Sequence, residues 1–361
     1  MARPDTPAGN RVRIEDVARR ARVSAGTVSH VLSGRVQVSE PLRLRVQKAI
    51  DALGYVPNFH AQGLRRSMSR VVGICLPHAS TAYLNMLSET FEEIASAAGY
   101  GVMHVFSRHD PTIELDRIKD LLRYRVDGLV LLPSTSPATS LELVASRAVP
   151  LVIVDRPIDD HRFDQVTLDN RAVMHEVTER LIALGHRRLL FICRTQSRLV
   201  TRHRLQGLAA ACAAARHPVT FQCIEFQNDP RFLTDELARV LQQRSPPTAL
   251  VVSNSDQASI VLGALGQRGI RSPEDISVVA FDDPKWSNLV RPRLSVVRQP
   301  ARAMARAAWD LLLLRMNGAG DPPRTVTLDP AIEFRESVAA PLAKPDVVTP
   351  LRGAHPRGGA R

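Results

Sequence analysis

From Ser69 to about residue 281, short apolar runs alternate with longer amphipathic segments, and this alternation constrains the fold more than any other feature of the chain. Nine runs read as strands: 71–76, 101–106, 128–132, 151–154, 165–168, 188–193, 220–225, 249–253 and 277–281. Helix-length segments lie between them, among them 81–98, 116–124, 172–184, 204–215 and 233–243. Such alternation is the pattern of parallel α/β sheets, because parallel neighbours need a crossover and a helix supplies it. The length of the pattern predicts two sheets rather than one. Ligands of such sheets bind beyond the carboxyl ends of the strands, here between two lobes.

The segment upstream has a different period. Ile14, Val17, Ala18 and Ala21 fall on one face of a short helix. Ser24 is placed to cap a second helix over 25–32, with Val28, Val31 and Leu32 as its apolar stripe. Ser39 is placed to cap a third, in which Leu42, Val46, Ala49, Ile50 and Leu53 share a face that ends at Gly54 and Pro57. Three short helices with a tight turn between the first two predict a helix-turn-helix, whose second helix enters the major groove of DNA. Ser24, Ala25, Gly26, Thr27, Ser29 and His30 are the residues that helix can present. Ala25 and Gly26 offer only a methyl group and backbone at the base-reading end, while Thr27 and Ser29 suit phosphate oxygens or a base edge.

Charge placement agrees with that reading. The net charge is +12 over 361 residues, and the stretch from Arg11 to Arg70 holds 12 Lys/Arg against 4 Asp/Glu. The chain from Val71 to Ala340 is left with a net charge near zero, so a basic head joins a nearly neutral body. With 44% hydrophobic residues the chain can bury a real core, yet no run approaches the roughly 20 apolar residues of a membrane span. The first ten residues lack the apolar segment of a secretory signal, so the expected location is the cytoplasm. Cys75, Cys193, Cys212 and Cys223 have no metal-type spacing and read as reduced thiols in or near the core; no cofactor or metal is expected. The residues before 12 and the stretch 341–361, rich in Pro, Gly, Ala and Arg, read as disordered.

An enzyme finds no support, because the chain lacks a P-loop, a GxSxG elbow, an HExxH helix and a GxGxxG after its first strand. A stand-alone small-molecule-binding protein would not carry the basic head. An activator of the same architecture stays open.

Between head and body, 58–68 reads either as a plain linker or as a short helix formed on DNA. In the second case Asn58 caps it, Leu64 is an apolar wedge in the minor groove, and Arg65 and Arg66 meet phosphates. Here a family resemblance enters. Ile14-Glu15-Asp16-Val17-Ala18, Val23-Ser24, Thr27-Val28-Ser29, Val31-Leu32, Val38-Ser39 and Leu53-Gly54-Tyr55-x-Pro57-Asn58 resemble the head of the lactose-repressor (LacI/GalR) family. Ala61-x-x-Leu64 is similar to that family's hinge, whose leucine opens the central base step of a palindrome. The body resembles the same family in Val154-Asp155-Arg156-Pro157, Asp169-Asn170-Arg171, Arg204-x-x-Gly207, Phe281-Asp282-Asp283 and Val296-Val297-Arg298-Gln299-Pro300.

The resemblance implies a three-helix head at 12–57, a hinge at 58–68 and a two-lobed, periplasmic-binding-protein-like core of parallel α/β sheets at 69–340. Lobe one is then expected to resume at about 300–318. It further implies a repressor that binds a double-stranded DNA operator as a homodimer and answers to a small-molecule effector between the lobes. Arg204, just before a helix, offers a planar fork of donors; Asp282, just after a strand, accepts from hydroxyls; Tyr83 offers a ring for stacking. Asp155 and Phe226 join these effector candidates through the resemblance alone. Cys193-Arg194 replaces the family's small Gly-rich turn after Phe191-Ile192, Arg198 and Arg202 follow it, and this arginine-rich rim suggests an acidic or phosphorylated effector rather than a neutral sugar.

Overall fold

The computed structural model describes residues 12–33, 38–55, 68–194, 199–226 and 229–342. The chain divides into two compact units, Met1–Ser69 and Arg70–Arg361. In the first, α1 (Ile14–Ala21), α2 (Ala25–Ser33) and α3 (Glu40–Leu53) close around Val17, Ala18, Ala21, Val28, Val46, Ala49 and Ile50. The Ser24 hydroxyl accepts from the Thr27 amide at 3.0 Å and fixes the start of α2. Ser39 stands at the cap position of α3, but its side chain makes no capping hydrogen bond. Pro41 in the first turn removes one amide that would need a partner. Helices α1 and α3 end alike, each with a left-handed residue, Arg22 (φ 52°) and Gly54 (φ 59°). The next amides, Val23 and Tyr55, return to the carbonyls of Ala18 and Ile50. Glycine takes that conformation freely; arginine does so at a cost of about 1–2 kcal/mol, which the burial around Val23 offsets.

The second unit holds two six-stranded sheets. The first is built from β1 (Val71–Leu76), β2 (Gly101–Phe106), β3 (Gly128–Leu131), β4 (Leu151–Val154), β5 (Asp164–Leu168) and β11 (Thr325–Leu328), in the order β11-β5-β4-β3-β1-β2. The second contains β6 (Arg188–Cys193), β7 (Thr220–Glu225), β8 (Ala249–Val252), β9 (Ser277–Phe281), β10 (Ser295–Arg298) and β12 (Ala331–Glu333), ordered β12-β10-β9-β8-β6-β7. All neighbours are parallel except β10 and β12. Central strands such as β3, β4 and β8 are buried at every position, which explains their unbroken apolar runs. The edge strands β2 and β7 are only partly buried: His104, Thr220 and Gln222 are exposed there, and so are Phe106 and Phe221.

Eight helices are described on these sheets: α4 (Ala82–Ala97), α5 (Pro111–Arg123), α6 (Ala138–Ser146), α7 (Asn170–Ala183), α8 (Leu199–Ala214), α9 (Pro230–Leu241), α10 (Ser255–Gln267) and α11 (Ala301–Met316). Helix α5 starts well before the expected residue 116. Asp110 caps it by accepting from the amides of Thr112 (2.7 Å) and Ile113 (3.0 Å), with Pro111 in the first turn. No helix among the described residues is long and apolar enough to cross a membrane.

Lobe one comprises β1–β5, α11 and β11; lobe two comprises β6–β10, their helices and β12. Lobe one therefore runs past the expected 318 to Leu328, because β11 pairs with β5. Strands β10, β11 and β12 are short and interrupted by polar residues, so no unbroken apolar run marks them and their long-range pairing defines them. The chain crosses between lobes three times among the described residues, at 169, 299–300 and 329–330. Each lobe fastens its late-arriving strand with a largely covered arginine. In lobe one Arg315 donates to both oxygens of Asp164 (2.6 and 2.9 Å), which also accepts from the Arg324 amide. In lobe two Arg335 grips Asp283 and Glu333.

Gly207 decides how α7 meets α8. A Cβ there would stand 2.2 Å from the Arg171 carbonyl oxygen, so glycine lets the two helix backbones touch. The four cysteines are free thiols; Cys75 and Cys193 are buried, and burial pushes the Cys75 thiol up to about 12.

Candidate functional site

The head and the interlobe cleft each carry candidate residues. On α2, Gly26 and His30 are exposed, while Ala25, Thr27 and Ser29 are partly covered. The Ser24 and Thr27 hydroxyls hydrogen-bond each other at 2.9 Å, so both are already engaged in the cap. A Cβ on Gly26 would meet only the Ser24 hydroxyl at 3.6 Å, so the surface there is open and a flat partner can approach the backbone. The Ala25 and Gly26 amides, ahead of the capped Thr27 amide, have no intrahelical acceptor, which suits phosphate. Arg13, Arg19, Arg20 and Arg22 add exposed positive charge on and beside α1. Asn58, Ala61, Leu64 and Arg65 lie outside the described residues, as do the 1–11 segment and most of 341–361.

The cleft forms where the strand order of each sheet reverses. Strands β1 and β3 in lobe one, and β6 and β8 in lobe two, are the switch points at which helices leave in opposite directions. Past the carboxyl ends of these strands lies a cavity of about 100 Å³ lined by Tyr83, Asp155, Arg156, Arg194, Arg204 and Asp282, among others. It adjoins a larger one of about 320 Å³, with which it shares Arg156 and Val200. Across the cleft mouth, the Ser80 hydroxyl of lobe one donates to Asp256 of lobe two at 3.2 Å.

Asp155 and Asp282 occupy equivalent turns, one after β4 and the other after β9. Both are left-handed (φ 68° and 72°), and each amide donates to the neighbouring strand at 2.9 Å, to Val166 and Val297 respectively. Holding a non-glycine residue there strains the backbone and aims the carboxylate off the strand end. The Tyr83 hydroxyl donates to Asp155 at 3.0 Å, and the Gln299 amide donates to Asp282 at 2.6 Å. Arg204 is buried: its Nε donates to Asn170 at 2.8 Å, its Nη1 to the Ser253 carbonyl at 2.9 Å, and its guanidinium stacks 3.5 Å from the centre of the Phe281 ring.

Burial dominates the electrostatics. It pushes Asp282 up to about 6, against the hydrogen bond from Gln299 and the charge of Arg204. It draws Arg204 down to about 10, although Asp155 and Asp282 favour its charge. Arg194 is lowered by burial and then by the like charge of Arg156. Such a site can accept from hydroxyls at its carboxylates and donate to oxyanions or carbonyls at its guanidiniums.

Tyr83, Asp155, Arg204 and Asp282 thus come together in one cavity. Two details differ from expectation. Arg204 lies inside α8 rather than before it, one turn ahead of the Gly207 contact that seats the helix. Tyr83 is fixed by its hydroxyl rather than offering an open face for stacking. Phe226 does not belong to the cavity. It is packed into the core of lobe two with Ile192, Ile224 and Leu233, because β7 is an edge strand whose end turns back over that core. Arg202 is exposed and lines the larger cavity, and Arg198 lies outside the described residues. Sequence reasoning gave no role to Arg156, Asn170 or Gln299; the only signal was that each sits beside a candidate or within a quoted motif.

Comparison with known proteins gives this architecture a lineage. Residues 13–58 match the model described as bacterial regulatory proteins, lacI family, and residues 178–338 match that of a periplasmic binding protein-like domain. The chain is 30% identical over 329 residues to the HTH-type transcriptional regulator GalR of Escherichia coli, covering 91% of this chain and 96% of that protein. It is 28% identical over 330 residues to catabolite control protein A of Priestia megaterium, covering 90% and 99%. Among solved structures, the transcriptional regulator CelR–cellobiose complex superposes with a TM-score of 0.68 at 26% identity, over 91% of this chain and all of that one. A lac repressor dimer bound to operator and the anti-inducer ONPF shares the fold, with a TM-score of 0.80 at 24% identity, over 92% of this chain and all of that one. With its two matching domain models in the expected order and a relative aligned nearly end to end, the chain belongs to the lacI family of bacterial regulatory proteins, DNA-binding transcription regulators rather than enzymes.

Proposed function

We propose that the chain is a transcriptional repressor that binds a pseudo-palindromic operator as a homodimer and is controlled by a small sugar or sugar-acid effector held between its lobes. The observation that carries this reading is the joining, in one chain, of a capped helix-turn-helix and a cleft where Tyr83, Asp155, Arg204 and Asp282 converge. In this reading 12–57 is the DNA-binding domain, with Ser24, Ala25, Gly26, Thr27, Ser29 and His30 on the groove face of α2. Residues 58–68 form the hinge: Asn58 caps it, Ala61 packs it, Leu64 wedges into the minor groove and Arg65 meets phosphate. Residues 69–340 form the effector-binding and dimerisation core. A two-fold dimer matches two half-sites one helical turn apart, and it works in the cytoplasm where the DNA is. Effector binding changes the closure of the lobes and so the equilibrium of the hinge. The likeness to GalR, to a lac repressor solved with operator and anti-inducer, and to a regulator solved with cellobiose supports each part.

The test is selection of bound sequences from a random DNA pool, followed by affinity measurements for the wild type and Leu64→Ala. A palindromic site is expected, with Leu64→Ala weakening it by about tenfold or more while binding to random DNA is little changed. No palindrome, or equal loss on both DNAs, overturns the reading.

A further inference from the structure

We propose that Cys193 and Cys223 form a reversible dithiol site, which a hydroperoxide closes to a disulfide beside the interlobe cleft. Cys193 is the last residue of β6, and Cys223 lies two positions before the end of β7. The strands run parallel with Phe191 opposite Cys223 and Cys193 opposite Glu225. Residues two apart in a strand share a face, so the two thiols lie on one side of the sheet as diagonal neighbours. Both join the apolar cluster that also holds Phe191 and Leu208. Their sulfurs are 3.2 Å apart. No other two cysteine sulfurs touch among the described residues. A disulfide needs about 2.05 Å, so closure asks for a shift of about 1.2 Å. Strand β7 can supply it, because it is an edge strand held to β6 on one side only. The diagonal placement draws β7 away from its resting register, and a bond made against native geometry is readily reduced again.

Exposure sets the order of events. Cys223 is half-buried and Cys193 buried, so an oxidant meets Cys223 first. With Cys193 as donor, the hydrogen bond between the sulfurs holds Cys223 below the usual thiol range and, with burial, pushes Cys193 up. The Cys223 thiolate attacks one peroxide oxygen, the O–O bond breaks, and the other oxygen leaves as hydroxide or alkoxide. The sulfur of Cys193 then attacks the resulting sulfenic acid: the S–S bond forms, the S–O bond breaks, and the oxygen departs as water. Two thiols and one hydroperoxide thus give a disulfide, water and an alcohol or a second water, with two electrons passing from sulfur to peroxide. A small dithiol reductant reverses the step by exchange. The chain continues from Cys193 into Arg194, which lines the inner cavity, and the sulfur of Cys193 lies within electrostatic reach of Arg204. A shift at the end of β6 therefore reaches the cleft. That last step, unlike the dithiol itself, rests on the reading of the cleft as an effector site.

The experiment treats the full chain with hydrogen peroxide, counts free thiols, and maps tryptic peptides by mass without reduction. Two of the four thiols should be lost, with peptide 189–194 joined to peptide 217–231, and dithiothreitol should restore all four. Cys223→Ala should abolish the link and leave Cys193 unreacted. Cys212→Ser, altered in a side chain packed on the same cluster, should keep the link. The proposal is overturned if all four thiols survive, if Cys212 carries the link, or if peroxide gives sulfinic acid without a cross-link. The wild-type map decides the matter even where a variant fails to fold. Affinity for the selected palindrome, measured with and without peroxide, separates this site from the reading of the cleft. A disulfide that changes affinity by about fivefold or more supports both. A disulfide with unchanged affinity keeps the dithiol site and removes its regulatory step, and failure to select any palindrome overturns the operator reading while the thiol map stands.

Discussion

The two lobes are built to one plan and differ in what they hold. In both, the first five strands follow the same order about a switch point, and the fourth is followed by a left-handed aspartate. In lobe one that aspartate receives a phenol hydroxyl from a helix of the same lobe; in lobe two it receives an amide from the segment that crosses back. Lobe one closes its sheet with a parallel strand and lobe two with an antiparallel one, each fastened by a largely covered arginine. The shared plan places polar groups at the cleft, and the local partners decide how each behaves there. Lobe two is the more tightly committed, since Arg204, Phe281, Asn170 and Gly207 form one connected contact that ties the site to the crossing of α7 and α8.

The largest test of this contrast compares two glycines. Gly207→Ala in lobe two puts a methyl group into backbone, which cannot yield, and should cost more than about 3 kcal/mol. Gly128→Ala in lobe one meets the flexible Leu312 side chain and should cost about 1–3 kcal/mol. Equal losses in chemical denaturation would mean that the helix crossing has no special role.

Next come the two arginine clamps. Asp164 is 1% exposed and Asp283 13%. Asp164→Ala removes the carboxylate from a largely covered pair, leaving Arg315 only backbone carbonyls and the Arg324 amide without its acceptor, and should cost about 3 kcal/mol, whereas Asp283→Ala should cost less because Glu333 still pairs with Arg335. A reversed order of midpoints would break the comparison.

The smallest effect has the opposite sign. Asp282 rises from 3.8 to about 6 on folding, so the folded protein holds the proton more firmly between those values. Its contribution to stability is therefore greatest below about pH 4 and falls as the pH rises through 6. Asp282→Asn lacks this loss. Its stability relative to the wild type should grow from near zero at pH 4 to on the order of 2 kcal/mol at pH 7. A flat difference across that range would show that burial does not strain this carboxylate. If the growth is seen, the stability given up at Asp282 belongs with the requirements of a binding site.

How far the sequence could be read depended on the range of the interactions involved. The head was legible because Val17, Val28, Val46 and their neighbours announce their faces through spacing alone. Strands such as β4 and β8 were legible as unbroken apolar tetrads. Strands β11 and β12 were not, since Thr325–Leu328 and Ala331–Glu333 become strands only by pairing with residues far away in sequence. The cleft was legible in part. Tyr83, Arg204 and Asp282 were chemically suggestive next to strand ends, but Arg156 and Arg194 come to line one cavity only after two separate sheets have formed. Phe226 followed Glu225 at a strand end much as Asp282 followed Phe281, and nothing local distinguishes a residue that turns into the core from one that turns into the cavity.

The three passages between lobes, at 169, 299–300 and 329–330, limit how a ligand can act. A single tether would let the halves swivel and splay in any direction, spreading binding free energy over many motions. Three side-by-side tethers oppose twisting and sliding and leave one soft rotation, like a door on three pins. A ligand that bridged the lobes would therefore act on that one rotation, and a backbone break at any one passage would leave the halves joined but less stiff.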